Sequence, residues 1–132
     1  MKITPDTNVL LRAMIGDDAR QAKISRTELA EADVVALTLP ALCELVWVLA
    51  RGYKTPTVSI AEGVRLLINA TNVAVNRPAV EAGLAVLEAG GDFADGAIAF
   101  EGGRLGGEVF ISFDQQAARL LQACGESARL LS

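Results

Sequence analysis

Lys2-Ile3-Thr4-Pro5-Asp6-Thr7-Asn8-Val9-Leu10-Leu11 opens the chain with a short extended run, one acid, and then the start of a helical pattern. The same grammar returns far downstream in Val109-Phe110-Ile111-Ser112-Phe113-Asp114, where an apolar strand again ends on an aspartate that opens a helix. In a parallel α/β sheet such strand-to-helix junctions gather along the carboxyl edge of the strands, where ligands bind. An aspartate there is either a helix N-cap, which Asp favours for its own reasons, or a ligand. Taken singly, Asp6 and Asp114 leave that choice open.

Outward from these junctions, short β-rich apolar runs alternate with helical patterns along the whole chain, the signature of an α/β domain with a mainly parallel sheet. Strands are expected at Lys2 to Pro5, Val34 to Leu37, Asn72 to Val75, Glu108 to Ser112 and Ala128 to Leu131. Helices are expected at Thr7 to Met14, Asp17 to Ala32, Pro40 to Arg51, Val58 to Asn69, Pro78 to Ala89, Phe93 to Arg104 and Gln115 to Ala123. Pro40 and Pro78 suit a first helical turn, where the missing N–H costs nothing. Gly52, Gly90 and Gly91 suit stop positions. No linker or repeat divides the 132 residues, and one domain spanning 1–132 is expected.

Composition narrows the chemistry. There is no histidine, which excludes a His-based triad, a His–metal site and an imidazole base. Acids that do chemistry here call instead for a hard divalent cation held by oxygen ligands. The formal charge of −4 and the sequence pI near 4.8 have the wrong sign for broad neutralisation of nucleic-acid phosphates, so local arginines or a cation would have to serve any such substrate. With 52% hydrophobic residues the chain can build a core and leave apolar surface for a partner. The longest apolar stretch, Leu37 to Ala50, is interrupted by Thr38, Pro40 and Glu44 and is too short to span a bilayer. The first residues lack the apolar run of a signal peptide, so a cytoplasmic location is expected. Cys43 and Cys124 lack paired spacing and are expected to be buried small hydrophobes.

Two further acids stand out. Glu44 is the only charged residue between Asp33 and Arg51 and is surrounded by Leu42, Leu45, Val46, Trp47, Val48 and Leu49. If buried it would cost several kcal/mol, so it must meet a cation, rise in pKa, or lie on a narrow exposed stripe. A cation is the favoured solution. In Gly90-Gly91-Asp92-Phe93-Ala94-Asp95-Gly96-Ala97, the acids at 92 and 95 face the same way at a helix start, where the helix dipole favours negative charge. Asp92 is placed as the N-cap or a supporting group. Asp95, among the small residues Ala94, Gly96 and Ala97 that let something approach closely, is placed as the ligand.

Asp6-Thr7-Asn8-Val9-Leu10-Leu11-Arg12, Glu44 within Leu39-Pro40-Ala41-Leu42-Cys43-Glu44-Leu45-Val46-Trp47-Val48-Leu49, Asp92-Phe93-Ala94-Asp95-Gly96-Ala97-Ile98-Ala99, and Ser112-Phe113-Asp114 together resemble the PIN-domain family. The likeness is closest to the VapC-type ribonuclease toxins of bacterial toxin–antitoxin pairs, and the motifs fall in the same order over essentially the whole chain. The resemblance implies a three-layer α/β/α fold with a central parallel sheet and a Mg²⁺- or Mn²⁺-dependent endoribonuclease. It places the acidic quartet on Asp6, Glu44, Asp95 and Asp114, with Asn8 supporting the first acid. It also implies a homodimer blocked by a small cognate antitoxin.

The residues accommodate that reading. Carboxylates that hold one or two divalent ions lower the pKa of a bound water and offset charge on a phosphate under in-line attack. Asp6 and Asp95 are the expected direct ligands, and Glu44 and Asp114 ligate a second ion, bind through water, or orient the nucleophile. Arg12 and Arg104 are either phosphate contacts or solvated surface charges, the latter favoured. Gly102-Gly103-Arg104-Leu105-Gly106-Gly107 follows a helix and precedes a strand, the reverse of a phosphate-loop context, and reads as a helix terminus and turn. Trp47 is expected in the core or on a dimer face rather than as a base-stacking platform. An aspartyl-nucleophile phosphatase is disfavoured because Asn8 stands where a second aspartate would act as acid. The remaining alternative is a non-catalytic Mg²⁺-binding regulatory or scaffold α/β domain, which leaves Glu44 on its separate helix poorly explained.

Overall fold

The computed structural model describes all residues, Met1–Ser132, in two compact units, Met1–Asn76 and Arg77–Ser132. The first contains β1 (Lys2–Ile3), α1 (Thr7–Met14), α2 (Ala19–Glu31), β2 (Val34–Leu37), α3 (Leu39–Arg51), α4 (Thr57–Ile68) and β3 (Val73–Val75). Its strands form a parallel sheet in the order β1-β2-β3, with Ile3 opposite Val35 and Leu37 opposite Val75. Helices flank this parallel sheet, the α/β class expected from the alternation of periods and the α/β/α arrangement that the resemblance implies.

Each junction has a local cause. The Thr38 side chain accepts the N–H of Ala41 at 3.3 Å and Pro40 sits in the first turn, which together start α3 immediately after β2. Asn72 then ties the end of α2 to β3 by donating Nδ2 to the carbonyls of Leu29 and Ala32, at 2.8 and 3.0 Å. The apolar stripes of α3 (Leu42, Leu45, Leu49) and α4 (Ile60, Val64, Ile68) close over Val35 and Leu37, all fully or almost fully buried. Each such side chain contributes about 1.5–3 kcal/mol by leaving water.

The second unit contains α5 (Arg77–Glu88), α6 (Phe93–Arg104), β4 (Phe110–Ser112), α7 (Gln115–Ala123) and β5 (Ala128–Leu130). Its two strands also pair in parallel, Phe110 opposite Ala128 and Ser112 opposite Leu130. Gly90, at a φ of 99°, ends α5: its N–H reaches the carbonyl of Leu87 and that of Gly91 reaches Val86, at 3.0 and 2.9 Å. This left-handed stop needs a residue without a Cβ and turns the chain directly into α6. The glycine-rich segment at 102–107 makes the same kind of termination, with Gly107 N–H on the carbonyl of Gly102 at 2.8 Å, as its sequence context predicts.

Boundaries differ from expectation by at most two residues, chiefly because the strands are short, and the burial expected of the two cysteines is not met. Cys124 is exposed at the end of α7, where only its backbone N–H is engaged, with the carbonyls of Leu120 and Leu121. Cys43 is half-buried. Trp47 is not in the core but 56% exposed on α3.

Candidate metal-binding nuclease site

Asp6 leaves β1 and caps α1, its Oδ1 accepting the N–H of Val9 at 3.0 Å. That bond uses one carboxylate oxygen and leaves the second for another contact. Thr7 donates its hydroxyl to the carbonyl of Ala41 at 3.5 Å, which binds the first turn of α1 to the first turn of α3. Asp6 and Glu44, 38 positions apart in the sequence, consequently line one open cleft of about 330 Å³ with Thr4, Pro5, Thr7, Thr38, Pro40 and Ala41. Asp6 stands just beyond the carboxyl end of β1, as the strand–acid–helix grammar predicts, and Glu44 projects from the second turn of α3, the helix that follows the adjacent parallel strand β2.

Glu44 itself is exposed. The desolvation argument that favoured a cation at this position therefore does not apply, and the exposed-stripe solution is the one the fold adopts. The reason is helical geometry: Ala41, Leu42, Leu45, Val46 and Leu49 turn inward, while Pro40, Glu44, Trp47 and Arg51 follow one another along the outer face. Asn8 lines a neighbouring cleft with Asp6, Arg12 and Gln21. Val9, rather than Asn8, supplies the N–H that holds the Asp6 carboxylate.

In the second unit Asp92 caps α6, accepting the N–H of Ala94 at 3.1 Å, as placed from sequence. Asp95 follows in the first turn and is half-buried. Its carboxyl is raised above the usual aspartate range by burial first, then by the negative charges of Asp92 and Asp114. Asp114 caps α7 through the N–H of Ala117 at 3.1 Å, and its own N–H donates to Ser112 Oγ at 2.9 Å. Three carboxylates from two helix starts thus share one field, with Asp95 at its least solvated point.

The small residues beside Asp95 do let something approach closely, and that something is α5. A Cβ at Gly96 would collide with the backbone of Ala82 and Gly83, and one at Gly83 would meet the Phe93 ring at 2.7 Å. The close helix contact fixes where Asp95 stands. Thr7, Thr38 and Ser112 are positioning residues that the sequence reading did not single out. Thr38-Leu39-Pro40 carries a capping signal that was available, whereas the Thr7 contact is long-range and has no local signature.

None of Asp6, Glu44, Asp92, Asp95 and Asp114 is paired with a lysine or arginine, whereas Met1 pairs with Asp33 and Arg12 with Asp17. Arg12 is occupied elsewhere, with NH1 3.0 Å from Asp17 Oδ1 and 3.5 Å from the Tyr53 hydroxyl. Arg104 lies over the Phe100 ring at 5.4 Å. In neither unit do three acids converge into a finished cation cage, so the groups are open clusters. Unpaired oxygen donors around one half-buried carboxyl whose charged form is disfavoured are what a hard divalent cation would stabilise, and the donor set suits Mg²⁺ or Mn²⁺.

The model of the PIN domain family matches residues 3–121. The chain belongs to the PIN domain family. No curated protein is similar enough to the chain to count as a match. PIN domains are nuclease domains that generally use divalent metal ions such as Mg²⁺, so this one is a metal-dependent nuclease-type hydrolase domain. The match spans all the acids discussed, from Asp6 to Asp114. No helix of this PIN domain is long and apolar enough to cross a membrane.

Proposed function

We propose that this PIN domain is an endoribonuclease that acts in the cytoplasm as the toxin of a toxin–antitoxin pair. The observation that carries the nuclease part is the Asp95 cluster, in which a half-buried carboxyl feels two further aspartates and no cation of the chain offsets them. The toxin part rests on the motif set Asp6-Thr7-Asn8, Glu44 on its apolar helix, Asp92-Phe93-Ala94-Asp95 and Ser112-Phe113-Asp114, which is most similar to VapC-type toxins.

Asp6, Glu44, Asp95 and Asp114 would hold Mg²⁺ or Mn²⁺, which when bound supplies Lewis acidity and a water of lowered pKa. The protein's own contribution is electrostatic and positional. Asp6 and Asp114 are each fixed by a cap bond to one oxygen, which holds the other in a constant direction. Asp95, kept from full solvation and facing Asp92 and Asp114, carries its charge less favourably than an exposed aspartate, which a cation would offset. Without a cation the acids repel a phosphodiester, so binding of RNA and cleavage share one requirement. Asp92 is engaged as a cap and supports Asp95 through its charge.

A homodimer and a small antitoxin complete the proposal. An antitoxin that inserts an arginine would satisfy the carboxylates bidentately where a cation otherwise sits. Such a partner should bind wild type more tightly than Asp6→Asn/Asp95→Asn; equal affinity and stoichiometry would mean that inhibition bypasses the acids. The function itself is tested with purified protein and single-stranded RNA. Cleavage is expected with Mg²⁺ or Mn²⁺ and none with excess chelator, while activity that persists in chelator discards the metal mechanism. A chain that binds Mg²⁺ but cleaves no RNA is the scaffold alternative.

A further inference from the structure

We infer that Trp47 is a base-stacking residue that positions single-stranded RNA beside Glu44, an inference that rests on the proposed ribonuclease function. An indole on a 13-residue helix with five buried positions would ordinarily turn inward, since an aromatic side chain gains more from burial than any of the leucines beside it. Trp47 instead stands 56% exposed. Three positions N-terminal to it is Glu44, so their Cβ atoms are about 5–6 Å apart on one face. Helical side chains lean toward the N-terminus of their helix and cover the preceding turn. A side chain at position 47 that leans this way covers the turn that carries Glu44, and that turn, with Thr38, Pro40 and Ala41, is a wall of the Asp6 cleft.

Four positions beyond Trp47, Arg51 is exposed and engaged in no ion pair. Acid, aromatic face and free cation thus follow along the outside of α3 over about 10 Å. This order suits a nucleic-acid strand: a phosphodiester at the acidic end, a base on the indole, and a neighbouring phosphate toward Arg51. Stacking accepts any base, because every base has a π-face. A second copy of the chain is a poorer occupant, because a stable dimer needs roughly 800 Å² per partner, whereas this aromatic is bracketed along its helix by charges of both signs.

The chain has a single tryptophan, so its fluorescence reports position 47 alone. Rapid mixing of the full-length protein with a single-stranded RNA oligomer in Mg²⁺ should give saturable quenching before cleavage. Trp47→Ala should raise KM about 5- to 150-fold, corresponding to about 1–3 kcal/mol of stacking, with kcat changed far less, and Trp47→Phe should recover most of the loss. Cleavage with KM unchanged in Trp47→Ala overturns the stacking role and leaves the nuclease function standing. Saturable quenching without any cleavage overturns the nuclease function and supports the stacking surface. A blue shift that grows with protein concentration in the absence of RNA, together with loss of dimer in Trp47→Ala, assigns the residue to a subunit interface and overturns the inference.

Discussion

The two acid-bearing regions reach their positions by different physics. Asp6 and Glu44 are exposed and share an open cleft because parallel strands β1 and β2 deliver them side by side. Asp95 is half-buried because glycines at 83 and 96 let α5 and α6 pack against each other, and two more aspartates press on it. The first pair can be altered without disturbing the interior; the second is built into the packing of its unit. An acid can therefore matter for chemistry in both regions while being costly to the metal-free fold in only one.

The largest expected effect is on turnover and is the same in both regions. Asp6→Asn and Asp95→Asn should each lower RNA cleavage by more than the ~10–100-fold that losing an outer support of a metal site costs. Initial rates in Mg²⁺ measure this, and a fall at only one of the two positions breaks the symmetry of the comparison. Next in size is Gly96→Ala, which forces a Cβ into the backbone of Ala82. Overpacking of this kind costs about 1–3 kcal/mol, read as a lower denaturant midpoint; an unchanged midpoint would mean that α5 and α6 are not held by that contact. Smaller still, Asp92→Ala should lose about 1 kcal/mol with its cap bond, while Asp92→Asn should keep both the cap and most activity. Equal loss of activity in Asp92→Asn and Asp95→Asn would move the ligand role to the pair. The smallest effect belongs to Glu44→Gln, expected to stay within about 0.5 kcal/mol in chelator because the side chain is exposed. A clear rise in its melting temperature would show that repulsion also operates in the first region.

What the sequence revealed follows the same division. Helix starts were legible wherever a capping residue and an apolar period coincide, as at Asp6, Asp92 and Asp114, each of which makes the cap bond that its position suggests. The choice of Asp95 over Asp92 as the non-capping acid was legible from the same rules. Glu44 misled because composition along a segment says nothing about phase: surrounded by apolar residues in the linear chain, it lies on the outer stripe once the helix winds, and Trp47 with it. The pairing of Asp6 with Glu44 depends on Thr7 reaching the carbonyl of Ala41, a contact between residues 34 positions apart that no local pattern announces. Arg12 was read as a phosphate contact or a surface charge; its attachment to Asp17 and Tyr53 likewise needs the fold.

Burial first, and then the charges of Asp92 and Asp114, disfavour the Asp95 carboxylate in the metal-free fold, and a cation would relieve this. Because the folded carboxyl is raised above its ordinary value of 3.8, the native state holds the proton more tightly than the unfolded chain, and stability must fall as pH rises from that value through the folded one. The direct measurement is a thermal melt of wild type and Asp95→Asn across this range, with chelator and with millimolar Mn²⁺. In chelator at neutral pH, Asp95→Asn should melt above wild type and lose less stability as pH rises from the acid side, while Mn²⁺ should raise wild type more than the variant. If Asp95→Asn melts below wild type in chelator and both respond equally to Mn²⁺, Asp95 is a structural residue and the account is contradicted.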